Sequence, residues 1–261
     1  PRSTYYKALL RVPSKRQIEA DNLKAEIRKI YMDSKCRYGA PKIYKTLKMN
    51  GRNVSLKRVQ RYMSSMGLRS IVVKKFRPHS SKSSVEEKEN LLNRNFEASG
   101  INQKWCTDIT YIHTLKDGWT YLASVMDLYS KKIIGYAYGT SMTAELVVKS
   151  LENACLNVKS TKGIILHSDL GTQYTSQKFQ ELVSKKEMIH SFSRKGNPYD
   201  NACIESFHSI LKKEEVNHSK YYDFNVARKA IFEFIESWYN RKRIHGSIND
   251  MTPHAAHEAA A

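Results

Sequence analysis

Apolar residues recur at helical intervals through the first 70 residues and then, from about residue 103, at the two-residue interval of strands, so the chain changes structural class part-way along. Residues 5–35 read as helices of mixed charge, with Leu23, Ile27, Ile30 and Tyr31 at helical spacing. Pro41 is placed to open a helix running to about Met49, Asn50-Gly51 to turn the chain, and Ser55 to cap a second helix. That second helix turns Leu56, Val59, Tyr62, Met63 and Met66 inward and leaves Lys57, Arg58 and Arg61 on its outer face, the form of a helix-turn-helix. Packed helix pairs are common in proteins that never touch DNA, so the motif by itself is weak.

Ser70 to about Ser84 is basic and then Ser-rich and reads as a linker, followed by a short helical stretch, VEEKENLLNRNF. From Gln103 the period is that of strands. WCTDITYIHTL and WTYLASVMDLYS flank Lys116-Asp117-Gly118, a hairpin signal, and KKIIGYAYG gives a third strand. TAELVVKSLENACLNV is an amphipathic helix and KGIILHSD a short apolar strand of the buried parallel kind. SQKFQELVSKKE is a helix, MIHSFS a last strand, GNPYDNACIESFHSILKKE another helix, and NVARKAIFEFIESWYNRKR one long helix before an Ala-rich tail. Three antiparallel strands followed by alternating helix and strand predict an α/β fold, a mixed five-stranded sheet flanked by helices, preceded by a small all-α unit.

Charge adds a partner to this picture. The formal net charge is +19, and the first 104 residues hold 25 Lys and Arg against 8 Asp and Glu, whereas the remainder holds 19 against 17. A surplus confined to the helical part points to a polyanion, nucleic acid in preference to a membrane surface, since no basic amphipathic helix with an aromatic face stands out. No apolar run reaches bilayer length and no signal peptide opens the sequence, so a cytosolic protein is expected. The first residue is Pro1 and not Met, which suggests a missing upstream part. Cys36, Cys106, Cys155 and Cys203 lie far apart and read as reduced thiols, not a zinc site.

Candidate chemistry comes from three carboxylates. On a helical wheel Cys203, Ile204, Phe207, Ile210 and Leu211 share one face, while Asn201, Ala202, His208, Ser209 and Lys212 gather around Glu205 on the other. Asp200 or Asn201 is placed to cap this helix. A lone Glu on a polar face is ordinarily just solvated. Asp108, however, sits inside a strand where an unpaired carboxylate is costly, and Asp169 follows the strand Ile164-Ile165-Leu166 at its carboxyl end, where sites in open α/β sheets form. A strand-middle, a strand-end and a helix carboxylate can converge on a hard cation such as Mg²⁺. The bland readings are Asp169 as a turn residue before Gly171 and Asp108 as partner of a buried cation.

WCTDITYI, DGWTYLASVMDLYSKKIIGY, HSDLGTQYTSQKF, GNPYDNACIESFHSILKKE and WYNRKRIHGSI resemble the integrase-core transposases of bacterial insertion sequences, the group similar to retroviral integrase. The resemblance runs from about Arg37 to Pro253. Between Asp169 and Glu205 lie 35 residues, as in that family's D, D-35-E signature, and Lys212 follows Glu205 by seven. It implies an RNase H-like core, Mg²⁺ or Mn²⁺ with two ions per site, and cleavage and joining of double-stranded DNA at the element's terminal inverted repeats. It further implies target DNA as a partner, a homodimer or higher assembly on DNA, a bacterial, nucleoid-associated location, and a DNA-binding unit ahead of the core, often encoded partly upstream. On it the chain divides into a basic helical DNA-binding region over 1–69 with its helix-turn-helix near 41–67, a linker and short helix over 70–102, and the catalytic core with its C-terminal helix over 103–261. Asp108, Asp169 and Glu205 become catalytic metal ligands, Asp108 bridging both ions. Lys212 becomes a phosphate contact, and His167, Gln173 and Asn201 become DNA-contact or supporting residues. Lys131 stands where the family commonly has Arg, and His208 where an aromatic is usual.

Two questions stay open at this level. With a two-residue turn at Asp117-Gly118 the hairpin would set Asp127 opposite Asp108 and offer a fourth ligand, whereas a longer loop removes it; the structural role is preferred for Asp127. A catalytically inactive sequence-specific repressor is the main rival function, against which three intact carboxylates argue. An RNase H-type nuclease on RNA–DNA hybrids and a tyrosine recombinase fit less well.

Overall fold

The computed structural model describes residues 12–71, 89–194 and 197–261, and the chain separates into two compact units, Pro1–Lys74 and Lys75–Ala261. The part of the expected helical stretch over 5–11, and residues 72–84 of the expected linker, lie outside the described residues.

In the first unit, helix α1 (Lys15–Asp33) begins where the Ser14 side chain accepts from the Gln17 amide. Helix α2 (Ala40–Met49) carries Pro41 in its first turn, and Gly51 takes φ 78° in the turn that follows, a conformation that costs glycine least. Helix α3 (Leu56–Ser65) is capped by Ser55, whose Oγ accepts from the Arg58 amide at 3.3 Å. Leu23, Ile27, Tyr31, Ile43, Leu47, Val59 and Met63 form the interior; Leu56, Tyr62 and Met66, expected inside, are only half-buried.

The second unit is built on a five-stranded sheet of order β3-β2-β1-β4-β5. Strands β1 (Lys104–Thr114), β2 (Gly118–Asp127) and β3 (Ile133–Gly139) are antiparallel, while β4 (Ile165–Ser168) runs parallel to β1 and to β5 (Ile189–Phe192). Between them run helices α4 (Ala144–Cys155), α5 (Thr172–Thr175) and α6 (Gln177–Lys185). Trp105, Ala123 and Val125 on one sheet face pack with Val147, Leu151, Leu166 and Phe179 in a single core. The fit of α4 onto β3 is close enough that a Cβ on Gly135 would lie 2.5 Å from the Ser150 carbonyl oxygen. The opposite face is covered by α7 (Ala202–Glu214) and α8 (Phe224–Phe232), with Phe207 edge-on to Tyr239 at 4.7 Å. Short helix α9 (Pro253–Glu258) lies within the Ala-rich tail.

The open hairpin register is decided, and other expectations are corrected. The hairpin loop holds three residues, Leu115-Lys116-Asp117, because Thr114 pairs with Gly118; Asp108 therefore faces Ser124, and Asp127 faces Trp105. Residues 89–96 are not helical. Asn93 and Arg94 take φ of 41° and 60°, and the backbone runs beside β5, where the Phe192 amide donates to the Glu89 carbonyl and the Leu92 amide to Ser191 Oγ. The expected long C-terminal helix is α-helical only over α8 and then widens into a π-helical segment, Glu233–Tyr239, which buries Phe234, Ile235, Trp238 and Tyr239. All four cysteines are free. Among the described residues no helix is long and apolar enough to cross a membrane.

Candidate active site

Strand β1 carries Asp108 just past the point where β4 leaves it. The parallel ladder pairs Cys106 with His167, and the same offset of 61 positions brings Asp108 level with Asp169, the first residue after β4. Asp108 Oδ1 accepts from the Ile109 amide at 2.8 Å, and Asp169 Oδ1 accepts from the Gly171 amide at 2.9 Å. A Cβ on Gly171 would stand 2.9 Å from that Asp169 oxygen, so the position has room for hydrogen only.

Helix α7 brings the third carboxylate. Its approach is fixed at one end by Asn201, whose Nδ2 donates to the Thr107 carbonyl at 3.2 Å. About two turns further along, His208 Nδ1 stands 3.4 Å from Asp108 Oδ2, and beyond it Lys212 Nζ lies 4.4 Å from the Tyr111 ring centre. Asp108 and Tyr111 point to opposite sheet faces, so α7 straddles the edge of β1 that β4 leaves uncovered. Glu205, one turn before His208, is exposed.

Electrostatics link the three acids. Burial, and then the charge of Asp108, push the Asp169 carboxyl up to about 6. Partial desolvation, followed by the charges of Asp108 and Asp169, also raises Glu205. Desolvation lowers the Lys212 ammonium, opposed by the charge of Asp108. Among the described residues no group of three or more His, Cys, Asp or Glu side chains is gathered closely enough to hold a metal ion as it stands. The surroundings nonetheless suit a hard cation. The donors are all carboxylate oxygens, and three buried polar atoms without a hydrogen-bond partner, Ser124 Oγ, Asn201 Oδ1 and His208 Nε2, belong to residues around Asp108 and the start of α7.

The structure separates the supporting residues from those open to solvent. His167 is fully buried between Ser191 Oγ at 2.9 Å and Ser193 Oγ at 3.0 Å, and burial lowers its imidazole to about 4, so it is neutral and braces β4 against β5 and is not available to DNA. Asn201 is likewise buried and serves the strand–helix junction. Neither Asp200 nor Asn201 caps α7 through its side chain. Gln173 donates to the Met142 carbonyl at 3.2 Å. Lys57 and Arg61 are exposed on α3, whereas Arg58 is tied to Glu19 at 3.1 Å and Tyr62 at 3.3 Å. Asp127 accepts from the Asn102 amide and from the Ser130 amide and hydroxyl, each at 2.8 Å, which is a structural role.

Two ion-pair clusters had no signal in the sequence. Fully buried Asp200 accepts from Arg94 Nε at 2.6 Å, from Arg194 Nε at 2.9 Å and from Asn90 Nδ2 at 2.9 Å, and the Arg194 hydrogen bonds above all hold its carboxyl far below the ordinary range. At the other end of α7, Glu214 accepts from Arg243 and from Trp238 Nε1. The helix that bears Glu205 is thus clamped at both ends.

A mixed sheet with carboxylates at the middle of β1, the end of β4 and a helix crossing between them defines the integrase-core class. Two models described as "Integrase core domain" match residues 98–198 and 186–253, and one described as "HTH-like domain" matches residues 18–76. The chain is 38% identical over 244 residues to the transposase for insertion sequence element IS904 of Lactococcus lactis subsp. lactis, covering 93% of this chain and 96% of that protein. It is 39% identical over 221 residues to transposase InsF for insertion sequence IS3A of Escherichia coli K12, covering 84% and 76%. The HTLV-2 integrase catalytic core domain in complex with magnesium aligns with a TM-score of 0.47 and 18% identity over 62% of this chain and 99% of that one. The chain belongs to the integrase-core transposases of bacterial insertion sequences.

Proposed function

We propose that this protein cleaves and joins DNA strands at the inverted-repeat ends of an insertion sequence, with Asp108, Asp169 and Glu205 as its catalytic carboxylates. The observation that carries this reading is that Asp108 stands level with Asp169 on adjacent parallel strands, and that, after burial, the charge of Asp108 raises the Asp169 carboxyl and the charges of both raise Glu205 on its clamped helix. Uncompensated acids held together this way favour a divalent cation, and the same three residues would hold a pair of Mg²⁺ or Mn²⁺ ions. When bound, the metals supply activation of the attacking oxygen and stabilisation of the leaving 3′-oxygen. The chain's own contributions are positional. His208 and the Ile109 amide orient the two oxygens of Asp108, Gly171 orients Asp169, and Lys212 offers a point charge to a phosphate. Each step is one in-line displacement at phosphorus, with water or a DNA 3′-hydroxyl as the attacking group.

Exposed Lys57 and Arg61 on α3 face DNA, and the division of labour follows 1–69 for recognition and 103–261 for chemistry. Two ends must be brought together, so the active form is a dimer or higher assembly in the bacterial cytoplasm, at the nucleoid. The inactive repressor has no use for three converging acids. A chiral phosphorothioate at the scissile position tests the chemistry. Single displacement inverts the configuration of each cleavage, retention would require a covalent intermediate, and binding without cleavage would favour the repressor.

A further inference from the structure

The sheet face that holds the main core loses its cover towards the β1–β2 hairpin. On that face Trp105, Val125 and Ala123 are buried, Ile109 and Tyr121 are partly buried, and then Tyr111, His113 and Trp119 are exposed. Register makes these last residues neighbours, Tyr111 opposite Tyr121 and His113 opposite Trp119. A strand that emerges from beneath its helices ordinarily turns polar on the uncovered face. Here it keeps aromatics, each 55% exposed, with the Tyr111 and Trp119 rings edge to face at 5.4 Å and the His113 and Trp119 rings at 5.1 Å. Lys212 Nζ lies over the Tyr111 ring, whereas no described ring or cation stacks parallel on Trp119.

Three features choose the occupant. Lys212 Nζ is 4.4 Å from the Tyr111 ring centre, which puts a phosphate-seeking cation at the rim of the patch. Tyr111 is three residues from Asp108 along one strand, about 10 Å, on the opposite sheet face, so a strand reaching both passes over the edge of β1 where Lys212 lies, a path of roughly three stacked nucleotides. At the hairpin tip Lys116 is exposed, while the carboxylate of neighbouring Asp117 accepts from the Phe224 amide at 2.7 Å. An exposed indole braced edge to face by its neighbours and rimmed by lysines suits a base on a phosphate backbone; a purely apolar protein partner would leave those ammonium groups without counter-charges.

We infer that Trp119, braced edge to face by Tyr111 and His113, forms a stacking platform for unpaired bases of the DNA strand that enters the carboxylate site. This rests on the proposed reading of that site, yet its test needs no catalysis. The probe is a generic duplex with a four-nucleotide 3′ overhang carrying 2-aminopurine, titrated with the full chain without divalent metal. Stacking quenches the 2-aminopurine in the overhang but not the same base within the duplex. Trp119→Ala removes the quenching and weakens overhang binding roughly ten-fold, and Trp119→Phe restores most of both, which separates loss of the ring from misfolding. Blunt-duplex affinity, set by the helical unit, stays the same. Quenching and affinity unchanged in Trp119→Ala, with a native circular dichroism spectrum, overturn the inference. So does a Trp119→Ala chain that turns from oligomer to monomer while still quenching, which would make the patch an interface between copies. Cleavage by wild type alongside unchanged quenching defeats only the platform; Trp119-dependent quenching without cleavage defeats only the catalytic reading.

Discussion

His208 Nδ1 stands 3.4 Å from Asp108 Oδ2, with His208 almost fully buried and Asp108 about one-fifth exposed. The contact fixes one oxygen of a carboxylate whose other oxygen is already held by the Ile109 amide. His208→Ala is expected to lower the cleavage rate about ten-fold with DNA affinity unchanged, and His208→Asn to recover part of it, because a donor is regained. Single-turnover rates beside gel-shift affinities check this.

Asp169 gives a prediction with a sign. Its carboxyl is raised from 3.8 to about 6 in the folded chain, so the folded state disfavours the charged form. Stability from this group is fully present below pH 4 and is lost as pH rises through 6. Asp169→Asn should therefore stabilise the metal-free protein at pH 7.5, by about 1–2 kcal/mol, and have no effect at pH 4. Thermal denaturation at the two values measures it, and the same variant should be inactive.

Gly171 presents a steric case. An added methyl meets Asp169 Oδ1 at 2.9 Å and Gln173 Oε1 at 3.2 Å, while the backbone there has an ordinary negative φ. Gly171→Ala should leave the melting temperature within a few degrees of wild type and reduce cleavage by one to two orders of magnitude, since a displacement of about 1 Å suffices for that. Melting curves and cleavage assays on one preparation separate the two effects.

Removing Asp200 should release the start of α7. Arg94 and Arg194 are nearly half exposed and return to water, so the cost to stability is about 1–3 kcal/mol, less than for a fully buried pair. Asp200→Ala is expected to shift the urea midpoint by that amount and, under conditions where it is folded, to lose more activity than DNA affinity.

Much of this arrangement could be read from the residues because local chemistry and tertiary need agreed. Pro41, Gly51 and Ser55 mark the ends of α2 and α3 in the sequence and also in the structure. Asp169 stands out as an acid at the end of an apolar strand, which is where it lies. The hairpin register was not readable, since a three-residue loop centred on Lys116 in place of a two-residue turn at Asp117-Gly118 moves the partner of Asp127 by three positions, from Asp108 to Trp105, and nothing local chooses between them. His208 sits on the polar side of a helical wheel yet is buried, because α7 straddles a strand edge and is contacted on two sides. Residues 89–96 have helical composition, but β5 offers them backbone partners and a burial site for Leu92. Arg94 and Asp200 are 106 positions apart, and no pattern in the chain announces their pairing.

The central claim is that three carboxylates act as one catalytic set, and the direct measurement is strand cleavage and joining of a labelled duplex bearing the element's end in Mg²⁺. Asp108→Asn, Asp169→Asn and Glu205→Gln should each abolish both reactions while retaining wild-type gel shifts, and the wild type should need the divalent ion. Cleavage that persists in any one of the three, or that proceeds in chelator, would contradict the account.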